Sequence, residues 1–257
     1  MKAVVTVKKE WVLGIFLLII PFLSSFILTL PVYNNFITSG DLVHVNKLGI
    51  KGNVYFAFVR SGYTKNLYEK YSLMWTYSNN IEFHPVDGSE IEEQEEELDY
   101  EADLRDNTIR SAVNVASKNA AGVNGQEIAT MDKMKEIIKK SQKYYGDSFG
   151  LMVAIGLTEE WNKEDFSRNG RFKLAGTGTI NQKMQVGPVG GIRYKVISAE
   201  RKKMQYFFVP SSDWKSDENG LSNVEEALQV VKERNMKIQI VPVATLDEAV
   251  QFLRSLR

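Results

Sequence analysis

Cysteine is absent from the 257 residues, and with it go disulfides, thiol nucleophiles and thiolate metal sites. That absence suits an exported protein. Histidine is scarce: His44 and His84 are the only two. Neither has a second histidine close by in a ligand spacing, so no metal is expected and each is read as structural or solvent-facing. Charge of one sign is not in excess, since 32 Lys and Arg balance 32 Asp and Glu. No basic stripe with interleaved aromatics occurs, which argues against a nucleic-acid partner. No phosphate-binding loop of the Walker type is present, so the chain holds no ATPase motor and no cofactor is expected. With 44% hydrophobic residues, the length suffices for one substantial domain plus an anchor.

The longest apolar run, residues 11–30, contains no charge and has the length needed to cross a bilayer core. Lys2, Lys8 and Lys9 precede it, and no basic residue follows until Lys47. The bias of positive residues toward the cytoplasm therefore predicts a cytoplasmic tail over 1–10, a single membrane span, and everything after it outside the cell. The run exceeds the usual apolar core of a signal peptide and no small-x-small cleavage site follows, so it is read as a retained anchor. Pro21 is tolerable in such a span.

The chemistry centres on Gly146-Asp147-Ser148-Phe149-Gly150. A serine between glycines, entering an apolar helical run from Leu151 to Leu157, exposes a hydroxyl at a helix start, where free N–H groups can hold an oxyanion. Ser148 is the candidate nucleophile, and it needs a base. An α/β-hydrolase triad runs serine, acid, histidine along the chain. Here both histidines precede Ser148, and neither sits in a recognisable motif. Lysine remains, because burial lowers the pKa of an amine toward working pH.

These residues resemble the serine–lysine dyad protease domain of Lon, and most closely the membrane-anchored Lon-like proteases of Gram-positive bacteria. The likeness rests on Gly146 to Gly150, on Ala175-Gly176-Thr177-Gly178-Thr179-Ile180, and on Pro188-Val189-Gly190-Gly191-Ile192-Arg193-Tyr194-Lys195. It continues through the segments around Phe207-Phe208 and Val241-Pro242 to the closing Thr245 to Ala249 helix, and so covers residues 99–257. The resemblance implies that Ser148 and Lys195 form the dyad and that the Thr177 hydroxyl helps hold the lysine. Gly146, Asp147, Phe149, Gly150, Gly190 and Gly191 support them. It implies protein or peptide substrates and admits a homo-oligomer. Two residues depart from the family pattern: Asp147 stands for the usual proline and Phe149 for a small residue. A carboxylate beside the nucleophile raises the pKa of the lysine, and a phenylalanine there narrows the substrate groove. A non-catalytic scaffold at the membrane that keeps this fold is the rival reading.

The remaining chain predicts a mixed-sheet α/β (α+β) fold. A membrane-proximal region over 41–98 holds a β-hairpin (Asp41 to Lys47, Asn53 to Arg60), a helix Leu67 to Tyr77 and an acidic loop. In the helix, Leu67, Tyr71, Met74 and Trp75 share one face, which is expected to enter the core. The acidic stretch from Asp87 lacks the glycine-punctuated spacing of a calcium loop and is read as a solvated loop leading into a polar helix from Tyr100 to Asn119. Residues 120–143 look like a PDZ remnant or a helical linker, too short for a whole module. Glu159 to Asp165 is expected to be a charged connection, Phe172 to Ile180 one strand, and Lys195 to lie on the second turn of the helix after Gly191. Gln205 to Val209 and Lys237 to Val243 are expected strands. Ser222 or Asn223 is the expected cap of a helix ending at Arg234, and Thr245 with Glu248 the capping box of the last helix.

Overall fold

The computed structural model describes residues 9–78, 80–92, 94–120, 126–212 and 220–256, in two compact units. The first unit takes the described parts of Met1–Ile37 together with Ser61–Glu92; the second takes Thr38–Arg60 and the described parts of Glu93–Arg257. The two long strands, β1 (Pro31–His44) and β2 (Val54–Asn66), each belong partly to both.

In the first unit, α1 (Lys9–Leu28) is apolar on every side after Glu10, and none of its described side chains is buried. It is the one helix among the described residues that is long and apolar enough to cross a membrane, with a mean hydropathy of 2.5. Helix α2 (Leu67–Tyr77) has the bounds the sequence predicts. Its N-cap Asn66 accepts from the Glu69 N–H, while Glu69 accepts from the Lys65 N–H. Strand β3 (Ile81–Pro85) neighbours β1 and carries His84, which is exposed. The aromatic face of α2 does not enter a core. Trp75 is 90% exposed, Tyr68 63% and Tyr71 55%, and Met74 is exposed too. The reason is that α2 meets β3 through its other side, where Lys70 bonds Asn34 at 3.0 Å and lies over the Phe83 ring. A short helix, α3 (Gly88–Glu92), ends the unit.

In the second unit, α4 (Gln94–Asn119) shows that most of the expected acidic loop is helical. Glutamate is a good helix former, and no glycine or proline interrupts the chain from residue 89 to 119. Helix α5 (Gln126–Ser141) packs on α4 and on a 3₁₀ turn, Val45–Leu48, with Ile137 in the core. This helix is what the described part of 120–143 forms, and the residues read as a preceding PDZ-like strand, 121–125, lie outside the described residues. Helix α6 (Gly150–Asn162) is buried from Gly150 through Glu159, as a helix that is apolar all round must be.

Strands β4 (Leu174–Gly176) and β5 (Thr179–Ile180) replace the single strand expected from Phe172 to Ile180. The break falls at Thr177-Gly178, whose N–H groups turn to the carbonyls of Phe208 and Ser148. Strand β6 (Val186–Gly187) pairs antiparallel with β5. Then follow α7 (Ile192–Arg201), β7 (Tyr206–Pro210), α8 (Asn223–Glu233), β8 (Gln239–Val243) and α9 (Leu246–Ser255). The sheet of this unit runs β1-β2-β4-β7-β8, with β2, β4, β7 and β8 mutually parallel. Side chains alternate across it as the pleat demands. Phe56, Leu174, Phe208 and Val241 join the core built with α4, α6 and α9. Ala57, Ala175, Phe207 and Val209 join the core built with α7 and α8. The result is helices on both faces of a mostly parallel sheet, the mixed α/β class expected.

Glu159 and Glu160, expected in a charged connection, instead anchor the end of α6. Buried Glu159 accepts from the N–H groups of Asn53 and Phe166 at 2.7 and 3.0 Å. Glu160 accepts from the Lys51 N–H and from Lys133, whose ammonium also reaches the Gly49 carbonyl. Burial pushes the Glu159 carboxyl up to about 7 against the lowering effect of those backbone bonds.

Candidate functional site

Ser148 precedes α6, which covers one face of the sheet, and Lys195 lies on α7, which covers the other. Between them, at the carboxyl end of β4, come Thr177 and Gly178. In open parallel sheets this end is where binding crevices form.

The turn holding Ser148 is built from backbone bonds. Gly146 adopts φ 75°, and its N–H donates to the Glu101 carbonyl on α4. The Ser148 carbonyl receives two donors, the Gly178 N–H at 2.7 Å and the Thr177 hydroxyl at 2.9 Å, while the Leu151 N–H returns a bond to the Gly178 carbonyl. Thr177 is fully buried. Its hydroxyl proton is directed to the Ser148 carbonyl, so the oxygen could meet Lys195, which the resemblance implies it helps hold, only as an acceptor. A Cβ at Gly150 would collide with the Thr108 hydroxyl, which would have to move aside. Phe149 does not narrow a groove: it is buried and packs on Phe56, centroids 5.2 Å apart.

Lys195 is 3% exposed. It occupies the fourth position of α7, its N–H bonded to the Gly191 carbonyl at 3.1 Å, so it closes the first turn rather than lying further along. Gly191 caps this helix with φ 66°, a left-handed conformation that favours glycine. Gly190 has open space where a Cβ would stand. Burial drives the Lys195 ammonium down to about 8, and the carboxylates of Asp147 and then Glu226 act in the opposite direction. The structure thus brings Asp147, next to Ser148, into electrostatic contact with Lys195. The expected opposition from Asp147 is present, and desolvation outweighs it. Asp147 itself is raised by burial, against the pull of Lys195. Glu101 is raised by burial and by the neighbouring Glu97 and Asp147, so the carboxyls around this turn are held toward their neutral forms.

Two supporting residues escape the sequence reading. Asn223, 1% exposed, clamps the main chain of Val189 through both its amide atoms, accepting from the N–H at 2.9 Å and donating to the carbonyl at 2.8 Å. One turn along α8, Glu226 accepts from the Arg193 N–H at 2.9 Å. The loop and first turn that deliver Lys195 are therefore pinned by α8. The sequence offers one signal, Ser222-Asn223-Val224-Glu225, which identifies a helix start: Ser222 is the N-cap, in a capping box with Glu225. Nothing in it tells that Asn223 turns inward.

The model of the Lon protease (S16) C-terminal proteolytic domain matches residues 125–253, from α5 through most of α9. Among curated proteins, a Lon protease of Trichlorobacter lovleyi is 28% identical over 107 residues, 42% of this chain and 11% of that protein. Lon protease 2 of Herpetosiphon aurantiacus is 23% identical over 136 residues, 53% of this chain and 16% of that protein. The chain therefore spans only a small part of the length of these relatives. Because the domain model covers half the sequence, from the helix before the Ser148 turn to the last helix, the chain belongs to the Lon protease C-terminal proteolytic domain family.

Proposed function

We propose that this protein is a membrane-anchored, ATP-independent serine endopeptidase with Ser148 as nucleophile and Lys195 as general base. The neutral amine of Lys195 takes the Ser148 proton as Oγ attacks a peptide carbonyl. Main-chain N–H groups near Ser148 receive the negative charge on the carbonyl oxygen. The C–N bond then breaks, the lysine ammonium returns the proton to the leaving amine, and water hydrolyses the ester left on Ser148. The observation that carries this reading is the burial of Lys195, an ammonium pushed down to about 8 within the field of the residue preceding Ser148. A buried lysine with no such task is a cost to the fold. The apolar helix α1 supports single-span anchoring, and Lys2, Lys8 and Lys9 ahead of its apolar run favour a cytoplasmic amino terminus with the proteolytic domain outside, so substrates are unfolded or membrane-proximal proteins.

The test is cleavage of a permanently unfolded protein by the full chain in detergent, without nucleotide, beside Ser148→Ala and Lys195→Ala. Loss of cleavage in both variants supports the reading. A correctly folded parent that does not cleave supports a scaffold instead.

A further inference from the structure

We propose that α2 lies in the headgroup layer of the membrane that α1 enters, with Tyr68, Tyr71 and Trp75 facing the lipid. This rests on the reading of α1 as a membrane anchor. Residues 68, 71 and 75 follow the 3, 4 spacing of one helical face, and they are the most exposed aromatic side chains of the helix. Met74 flanks them, also exposed. No charge lies on this stripe: Glu69 is committed to the cap of α2 and Lys70 to Asn34 and the Phe83 ring. A soluble protein seldom leaves a stripe of two tyrosines and a tryptophan uncovered.

The occupant is argued from three observations. Helices α1 and α2 belong to the same compact unit and come within 8 Å of each other, Cα to Cα. Helix α1 itself has no buried side chain among those described, as expected of a segment whose solvent is lipid. The stripe is made of tyrosine and tryptophan rather than leucine and isoleucine, and these amphipathic rings concentrate at the bilayer–water boundary. The stripe is bordered by exposed polar residues, Ser72 and Thr76, and a helix whose aromatic face grades into a polar one lies in the plane of that boundary. It would fix the orientation of the membrane-proximal unit on the surface.

The lack of cysteine makes a site-specific test direct. Single-cysteine forms of the full chain, Trp75→Cys, Tyr68→Cys, Thr76→Cys and Leu17→Cys, carry an environment-sensitive fluorophore and are reconstituted into phosphatidylcholine vesicles. Quenching is measured with a nitroxide borne on the lipid and with aqueous iodide. The expected result is that labels at 68 and 75 are quenched mainly by the shallow lipid nitroxide, the label at 76 mainly by iodide, and the label at 17 by a nitroxide deep in the acyl chains. If position 17 is embedded while 68 and 75 respond to iodide like 76, the interfacial helix is wrong and the anchor stands. Labels at 68 and 75 shielded from both quenchers mean that a protein surface covers the stripe, which also overturns the proposal. A label at 17 that iodide reaches removes the anchor, and this inference with it.

Discussion

The Thr177 hydroxyl donates to the main-chain carbonyl of Ser148 at 2.9 Å, so the end of β4 and the Ser148 turn are tied by a side chain as well as by the Gly178 N–H. Thr177→Val removes that donor at a fully buried position, and the net worth of such a bond is about 1 kcal/mol. The expected outcome is a loss of roughly fivefold in kcat/KM on an unfolded substrate. Thr177→Ser, which keeps the hydroxyl, should retain most of the rate.

With Lys195 as the proposed base, its charge state sets the pH dependence. An amine titrating at about 8 is neutral in roughly one molecule in ten at pH 7, so cleavage should rise with pH and level off above that point. Asp147→Asn and Glu226→Gln each remove a carboxylate that holds the ammonium up, and each should move the rising limb to lower pH. Glu226→Gln keeps an acceptor for the Arg193 N–H. Its limb shift, read from kcat/KM against pH, therefore reports the charge rather than the positioning of α7.

The same burial makes Lys195 a burden on stability. The Lys195 pKa in the folded chain lies below its ordinary value of 10.5, at about 8. Its favourable contribution is thus present above pH 10.5 and lost as pH falls through about 8. Over that interval the difference is on the order of 3 kcal/mol. Lys195→Met should accordingly unfold at higher denaturant concentration than the parent at pH 7. The advantage should shrink as pH rises toward 10.5.

Glu159 works with the opposite sign. Its carboxyl is raised from 4.5 to about 7, so its contribution is fully present below pH 4.5 and lost as pH rises through about 7. The full swing is on the order of 3 kcal/mol. Denaturation midpoints followed from pH 4 to pH 8 should fall for the parent across this window. Glu159→Gln should lack that component of the slope, whatever its absolute stability, since its amide can accept from only one of the two N–H groups that Glu159 now serves.

How far the sequence could be read differs by element for physical reasons. Helices α2, α7, α8 and α9 were legible because caps and glycine turns mark their ends locally: Asn66, Gly191, Ser222 and Thr245. The order of the Ser148, Thr177 and Lys195 motifs identified the family. Three features were not legible because each depends on partners far along the chain. Glu159 is charged and ends a helix, and only the loops at Asn53 and Phe166 turn it inward. Asn223 reads as a cap, yet its amide closes on Val189, 34 positions earlier. The face of α2 has the periodicity of a core helix, and periodicity alone does not distinguish protein from lipid as the apolar partner.

The central claim is that a buried amine activates one serine, and covalent trapping tests it most directly. The full chain is treated with a fluorophosphonate at pH 6 and at pH 9, and the adduct is located by mass spectrometry in the parent and in Lys195→Ala. The account predicts one phosphonylated residue, Ser148, labelled faster at pH 9 than at pH 6, and labelling suppressed at both pH values when Lys195 is replaced. Equal labelling of Ser148 in the Lys195→Ala protein would contradict it.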